Sequence, residues 1–337
     1  MKIAVLTGGA SDERAVSLSS GAAVAAALRE AGHEVVAFDL STGVISREDE
    51  ARILAAGVGP APEHGESLGL LSTVGTAALT EDAAVRGADV FFLALHGGAG
   101  EGGTLQAILD VTGTPYTGSG LLGATLAMDK DVSKRLLEHA GIPTPKWVSG
   151  VQIPAEVAAT VGLPMVVKVA SGGSSLRLTL AHDMQELEAA TKESESFGDL
   201  VLYERYVKGR EFTVPVLERE ALPVGEIIPE HEFFDYECKY QPGLAQEIFP
   251  ADLDERIAKR LQKVALQVHD VLRLRDYSRV DFIVDERGDE WCLEANTLPG
   301  MTPASLFPKG AKAAGITFPQ LCDRIARLAL RRTGRTV

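Results

Sequence analysis

Arg279–Thr302, RVDFIVDERGDEWCLEANTLPGMT, is the stretch from which the rest of the chain can be ordered. Val280, Phe282 and Val284 alternate with Asp281, Ile283 and Asp285 in a mostly apolar run of strand length. Arg287-Gly288-Asp289 is a turn signal, and Glu290 to Ala295 reads as a returning strand. Pairing the two as a hairpin predicts that Asp281 lies near Glu294 and Asn296. Two carboxylates and an amide oxygen form a hard, oxygen-only set of the kind that takes Mg²⁺ together with phosphate oxygens. Arg279, two residues before Asp281, shares a strand face with it. A guanidinium beside metal-bound phosphates can stabilise charge that develops in a transition state. Pro299-Gly300 turns the chain and bares a backbone N–H near the same place. The same stretch would also serve as an ordinary hairpin with a solvated acidic face.

The chain around this hairpin has 337 residues, room for two or three domains. With 45% hydrophobic and 24% charged residues it has the balance of a globular protein, and it contains no apolar run of transmembrane length. MKIAVLTGGASDER at the N-terminus reads as a first strand feeding a glycine turn, not as a signal peptide, so a cytoplasmic protein is expected. Cys238, Cys292 and Cys322 are widely spaced and suit neither a disulfide framework nor a zinc site. A net charge of −14 argues against nucleic acid or an anionic membrane as partner. An acidic protein that handles phosphates has to concentrate its few useful cations locally.

From the N-terminus, IAVLT (3–7), a helix over 14–31 and HEVVAFDL form a β-α-β unit that opens a parallel sheet. Residues 41–86 break the rhythm and read as an irregular insertion with one or two helices. ADVFFLALHGG (88–98) is a buried strand ending in a glycine-rich loop, where open α/β sheets place ligands. A second region starts near Leu121, with Asp129 capping a helix and strands at 164–168 and 176–180 around SGGS. The strand DLVLYERYV follows, and Gly209 marks a hinge. A third region opens at REFTVPVLE, passes the aperiodic loop HEFFDYECKYQPG and a long amphipathic helix, and reaches the hairpin. A helix over 317–332 ends it.

Several residues carry two readings. SGGSS (171–175) with Lys168 is either a phosphate-cradling loop or a plain hairpin turn. Lys130 is a surface lysine by default. YERYV (203–207) is a strand end, or a linker whose backbone edge reads adenine, and Glu211 could take ribose hydroxyls. His96 is a loop histidine or, from its place after a buried strand, a catalytic one. Glu13 is helix-end decoration or a ligand for an ammonium group.

Taken together, GGASDERAVSLSSG, ALHGGAGEGGTLQ, PYTGSG, MDK, GIPTP, the lysine closing PMVVK, GGSS, EFTV, FFDYECKY, RVDF, EANTLPGMTP and SL resemble the D-alanine–D-alanine ligases of the ATP-grasp superfamily, in the family's order from Gly8 to Leu306. The resemblance implies a Rossmann-like parallel-sheet domain (1–120) followed by two α+β domains (121–211 and 212–337) that clamp ATP. By motif match, Glu13 holds the amino group of the first D-alanine, joined by Ser174 and Tyr240 in a hydrogen-bonded set that closes the loop 231–243. Lys130, Lys168 and Lys239 hold phosphates, while Glu204, Val207 and Glu211 serve adenine and ribose. Asp281, Glu294 and Asn296 hold two Mg²⁺, with Mn²⁺ as a substitute. Arg279 and the Gly300 N–H stabilise a tetrahedral intermediate with His96 close by, and Ser305 and Leu306 line the second substrate's subsite. The activity implied is ADP-forming ligation of two D-alanines through an acyl phosphate for peptidoglycan synthesis, in a cytoplasmic homodimer that uses neither nucleic acid nor membrane.

The chain departs from the family pattern at Val169, Ser171-Gly172 and Arg177 in the phosphate loop. The alternation around Arg177 predicts that Leu176, Leu178 and Leu180 face the domain core, and that Arg177 pairs with an acidic neighbour or a phosphate unless it is a solvated surface residue. Other readings are a carboxylate–amine ligase of different amino-acid or D-lactate specificity, against which Tyr240 argues, and a non-catalytic nucleotide-binding relative. The full set Lys130, Lys168, Arg279, Asp281, Glu294 and Asn296 argues against the latter.

Overall fold

The computed structural model describes residues 1–59, 82–150, 152–173, 177–241 and 243–332. Strands β1 (Lys2–Thr7), β2 (Glu34–Asp39), β3 (Gly43–Ile45) and β4 (Val90–Leu93) form a sheet in the order β3-β2-β1-β4. β1 is parallel to both β2 and β4, as the β-α-β reading requires, and β3 adds an antiparallel edge. The helix Arg14–Glu30 crosses between β1 and β2. Within the expected insertion, the described part holds β3 and a helix, Arg47–Ala56, whose first turn is capped by the Ser46 hydroxyl.

A second sheet comprises β5 (Trp147–Ser149), β6 (Met165–Val169), β7 (Leu178–Ala181) and β8 (Val201–Arg205), all antiparallel, in the order β5-β8-β6-β7. The third sheet contains β9 (Gly209–Leu217), β10 (Glu220–Ala221), β11 (Gly225–Pro229), β12 (Ala245–Ile248), β13 (Tyr277–Asp285) and β14 (Glu290–Asn296). Its order is β12-β11-β9-β13-β14, with β10 hung on β9. The long amphipathic helix, Glu255–Val271, buries Leu261, Val264, Ala265 and Val268 against this sheet's core.

Packing groups the chain differently from its order. The helices Leu121–Met128 and Lys130–His139 contribute Ala127 and Leu137 to the core of the third sheet. The final helix, Phe318–Arg332, returns to the first sheet, and its Leu321, Ile325, Ala326 and Leu330 share a core with Ile3, Leu6, Leu28 and Phe92. The three cysteines are buried and free. No helix among the described residues is long and apolar enough to cross a membrane.

Some elements differ from expectation. HEFFDYECKYQPG is not all loop: Asp235 accepts from the Cys238 N–H and caps a short helix, Tyr236–Tyr240, too brief for a period to show. A helix at Leu306–Ala313 was hidden by Pro308 and Gly310. Gly209 opens β9 where a Cβ would stand 2.3 Å from the Val284 carbonyl oxygen of β13, so its lack of a side chain serves a close approach of two strands. Leu178 and Leu180 line a cavity shared with Glu204, contrary to the expectation that they face the domain core; Leu176 lies outside the described residues. The core of that domain is closed from the other side by Val167, Ala181, Leu187 and Tyr203.

If the last helix completes the first core, Ile325→Ala will lower stability by about 2–4 kcal/mol, the usual cost of a buried aliphatic truncation. Urea unfolding followed by circular dichroism checks this, and a loss below about 0.5 kcal/mol, the usual range for a surface change, would mean that the helix is not integral to the core.

Candidate functional site

The hairpin β13–β14 pairs Asp281 with Glu294 and Arg279 with Asn296, and a register shift follows Asp281. Arg279 clasps the Asp281 carboxylate with two hydrogen bonds, Nε to Oδ1 at 2.9 Å and Nη2 to Oδ2 at 2.8 Å. Asn296 Nδ2 donates to Asp281 Oδ2 at 2.9 Å, and Thr213 Oγ1 on β9 donates to Oδ1 at 2.6 Å. Burial works against the charge on Arg279, but Asp281 outweighs it and holds the guanidinium firmly protonated. Burial would likewise raise the Glu294 carboxyl; Lys130, Lys239, Lys168 and Arg279 overcome it and bring the pKa down to about 2. Lys130 Nζ is 3.4 Å from Glu294 Oε2 and donates to the Gly172 carbonyl. This oxygen set, ringed by cations, fits a hard divalent ion bound with phosphate.

Four cavities with shared lining residues lie around this site, and the hairpin lines three of them. Lys130, Lys168, Lys239, Glu211, Asp281 and Glu294 line one. Lys168 and Glu211 also line a neighbour whose other walls include Glu204, Val207, Val166, Leu180 and Ile283, a narrow apolar slot with polar groups at its rim. On the other side Lys239 is shared with a cavity of about 430 Å³ lined by Tyr240, Arg279, Asn296, Gly300, Ser305 and Leu306, and by Glu13 and His96. The fourth cavity continues from Glu13 and His96 along the glycine loops of the first domain. The structure therefore brings every candidate residue it describes to one chain of cavities. Ser174 lies outside the described residues.

Glu13 sits before the helix Arg14–Glu30 and is buried. A Cβ at Gly97, which has φ 65°, would stand 2.5 Å from Glu13 Oε2, and one at Gly173 would stand 2.4 Å from it. Two loops distant in sequence thus close on one carboxylate at a distance that only glycine permits. Burial, with the charge of Arg279, lowers the His96 imidazole to about 4, so it is neutral near pH 7. Its Nε2 lies 3.0 Å from Ser20 Oγ, and Ser20 Oγ accepts from the Met301 N–H. Tyr240 packs on Tyr236 with ring centroids 4.7 Å apart, in the short helix of the 231–243 segment.

Two residues were not singled out from the sequence. Glu101 accepts from the N–H groups of Gly97 and Leu298 beside Glu13; an acid inside HGGAGEGG was its visible signal. Lys134 is 1% exposed and ion-paired to Glu204 at 2.5 Å; its signal was a place four residues after Lys130, on the helix face that also buries Leu137. Glu204, expected near adenine, has its carboxylate between Lys134 and Lys168 as well as a place in the slot's wall. Arg177 pairs with Asp12 at 2.7 Å, stacks 4.5 Å over the Phe197 ring, and keeps a left-handed φ of 60°. It is thus the acidic neighbour, not solvent, that takes its charge, and the loop retains a backbone angle that suits glycine better.

Burial and then the charge of Glu13 raise the Glu101 carboxyl from 4.5 to about 8. The folded chain keeps a proton there that the unfolded chain releases above pH 4.5, so stability from this group is full below that pH and falls as pH rises through 8. Glu101→Gln should become progressively more stable than the parent between pH 5 and pH 8.5, read as the difference in urea midpoints; a constant difference would mean an ordinary carboxylate.

The chain's residues 2–119 match the family model described as D-ala D-ala ligase N-terminus, and residues 136–327 match D-ala D-ala ligase C-terminus. A D-alanine–D-alanine ligase of Desulfotalea psychrophila is 38% identical over 343 residues, covering 99% of this chain and 96% of its own. One from Syntrophotalea carbinolica is 38% identical over 325 residues, covering 96% and 94%. The crystal structure of the Bacillus anthracis D-alanine–D-alanine ligase complexed with ATP superposes with a TM-score of 0.79 at 32% identity, covering 99% of this chain and 98% of that one. The ligase from Coxiella burnetii superposes with a TM-score of 0.81 at 26% identity, covering 99% and 95%. Sequence and architecture agree over the whole described chain, and the protein belongs to the D-alanine–D-alanine ligase family, with its ATP-grasp fold.

Proposed function

We propose that this chain joins two D-alanine molecules into D-alanyl-D-alanine, with ATP converted to ADP and phosphate, as a step in building peptidoglycan precursor. The observation that carries the reading is a row of cavities with shared walls. A mostly apolar slot, a cation-lined chamber and a polar chamber share Lys168, Glu211 and Lys239 in their walls. That order matches nucleoside, phosphates and amino acids laid end to end.

Glu204, Val207 and Glu211 border the nucleoside, and Lys130, Lys168 and Lys239 neutralise phosphate charge. Glu13 holds the first substrate's ammonium group, the glycines of two loops fixing its carboxylate, and Ser174 and Tyr240 extend that set. Lys239 and Tyr240 sit on the segment that would shield the reaction from water, which matters because an acyl phosphate hydrolyses readily. The first substrate's carboxylate gains a phosphoryl group and so a leaving group; the second substrate's amine then attacks that carbon, and phosphate departs. Arg279 and the Gly300 N–H donate to the oxyanion formed in that attack. Neutral His96 is a hydrogen-bonding group beside Arg279, and Ser305 and Leu306 border the second amino acid. Asp281, Glu294 and Asn296 would hold two Mg²⁺ (Mn²⁺ in their place), which when bound supply neutralisation of the phosphate oxygens. The three-domain division at 120 and 211, a homodimer and a cytoplasmic site of action belong to the same reading.

Incubating the protein with ATP, Mg²⁺ and a pool of D- and L-amino acids, followed by mass spectrometry of the products, tests the function. D-alanyl-D-alanine should dominate; a different dipeptide or a D-lactate ester would overturn the specificity, and nucleotide binding with no product would overturn catalysis. Glu294→Gln should fold normally and lose turnover by about 100-fold or more, since removing one charge from the set weakens the metal's hold. Near-parent turnover at low Mg²⁺ would disprove its place in the metal set.

A further inference from the structure

Lys134 is the most completely buried cation of the described chain near the cavities, yet it borders none of the chambers in which ligands are proposed to lie. It projects from the helix Lys130–His139, 1% exposed. Its Nζ lies 2.5 Å from Glu204 Oε2 and 2.5 Å from Thr144 Oγ1, and 5.1 Å from the centre of the Trp147 ring. Glu204 shares its other oxygen with Lys168, Oε1 to Nζ at 2.9 Å. Lys168, unlike Lys134, borders both the apolar slot and the cation-lined chamber.

The charges in this buried row are one carboxylate between two ammonium groups. A carboxylate paired with Lys168 alone would cancel it, and phosphate would meet a neutral ion pair. With Lys134 on the far oxygen the row carries one net positive charge, and Lys168 is the member that faces the ligand. Burying a lysine is costly unless it is paired, and here the cost is met by a carboxylate, a hydroxyl and an aromatic face. Burial pulls the Lys134 ammonium below the usual lysine range, and Glu204 opposes that shift.

We infer that Lys134 is a positioning residue that satisfies Glu204 from behind, so that the Lys168 ammonium keeps an unspent charge for the nucleotide's phosphates. The inference rests on the proposed use of ATP.

The test is binding of ATP and of adenosine to the full-length protein by isothermal titration, adenosine being read by competition. Adenosine fills the slot but carries no phosphate. Lys134→Met should weaken ATP by roughly tenfold or more, the scale of one lost charge interaction at short range. Adenosine should stay within about twofold of the parent, well inside a tenfold loss. The double variant Lys134→Met, Glu204→Gln removes the buried anion together with its counter-ion and should restore the parent's ratio of ATP to adenosine affinity, a ratio from which any loss of Glu204 beside the nucleoside cancels. A Lys134 that only braces the fold would shift ATP and adenosine alike, and the double variant would not rescue. Unchanged ATP affinity in Lys134→Met, or equal loss for both ligands, overturns the inference. If Lys134→Met does not fold, the double variant decides: a parent-like ratio of ATP to adenosine affinity supports the charge balance, and selective loss of ATP overturns it. A parent chain that binds adenosine and ATP equally weakly would instead overturn the proposed function.

Discussion

Ionised groups taken out of water must find opposite charge nearby, and the centre of this molecule is arranged around that demand. Glu294 answers to Lys130, Lys239, Lys168 and Arg279; Asp281 answers to Arg279; Glu204 answers to Lys134 and Lys168. Breaking such a set by removing one member leaves a bare buried charge, which costs far more than the set contributes to stability. The chain as a whole is acidic, with a net charge of −14. Gathering lysines and an arginine at one place therefore sets that place apart electrically from the rest of the surface, and an anionic ligand is drawn to it.

The backbone reason these charges meet is the position of β13. It lies between β9 and β14 in the third sheet, paired with β9 from Tyr277 to Asp285 and with β14 from Arg279 to Val284. A central strand cannot slip without carrying two neighbours with it, so the face that presents Arg279 and Asp281 is held in register. The second sheet brings Lys168 from the end of β6 and Glu204 from β8, its immediate neighbour in that sheet. The first domain supplies Glu13 and His96 from loops at the ends of parallel strands, where this kind of sheet leaves room for a ligand.

Much of this was legible in the residues because it is local. Alternation and a glycine turn were enough to pair Asp281 with Glu294 and to put Arg279 on the same face, and Asp129 did cap its helix. What was not legible depends on contacts between distant segments. Lys134 has the composition of a surface residue, and its burial is made tolerable by Thr144, Trp147 and above all Glu204, seventy residues further along the chain. The partner of Arg177 is Asp12, on the far side of the chain's order. The apolar side of β7 was read as core because alternation reports burial without saying what buries it; there it is the wall of a slot. The family resemblance ordered the candidate residues along the chain, but it carried no information on how Glu204 is held.

The return of the last helix to the first sheet has a consequence for synthesis. Ile325 and its neighbours on Phe318–Arg332 fill a core whose other members, Ile3, Leu6 and Leu28, leave the ribosome some three hundred residues earlier. Until that helix emerges, the apolar side of the first sheet stands open to solvent, and the N-terminal domain cannot reach its final packing by itself. The second and third sheets have no such dependence on the last helix for their own cores. For this protein the order of translation and the order of completion therefore run in opposite directions, and the nascent N-terminal half is the part with most to gain from a chaperone.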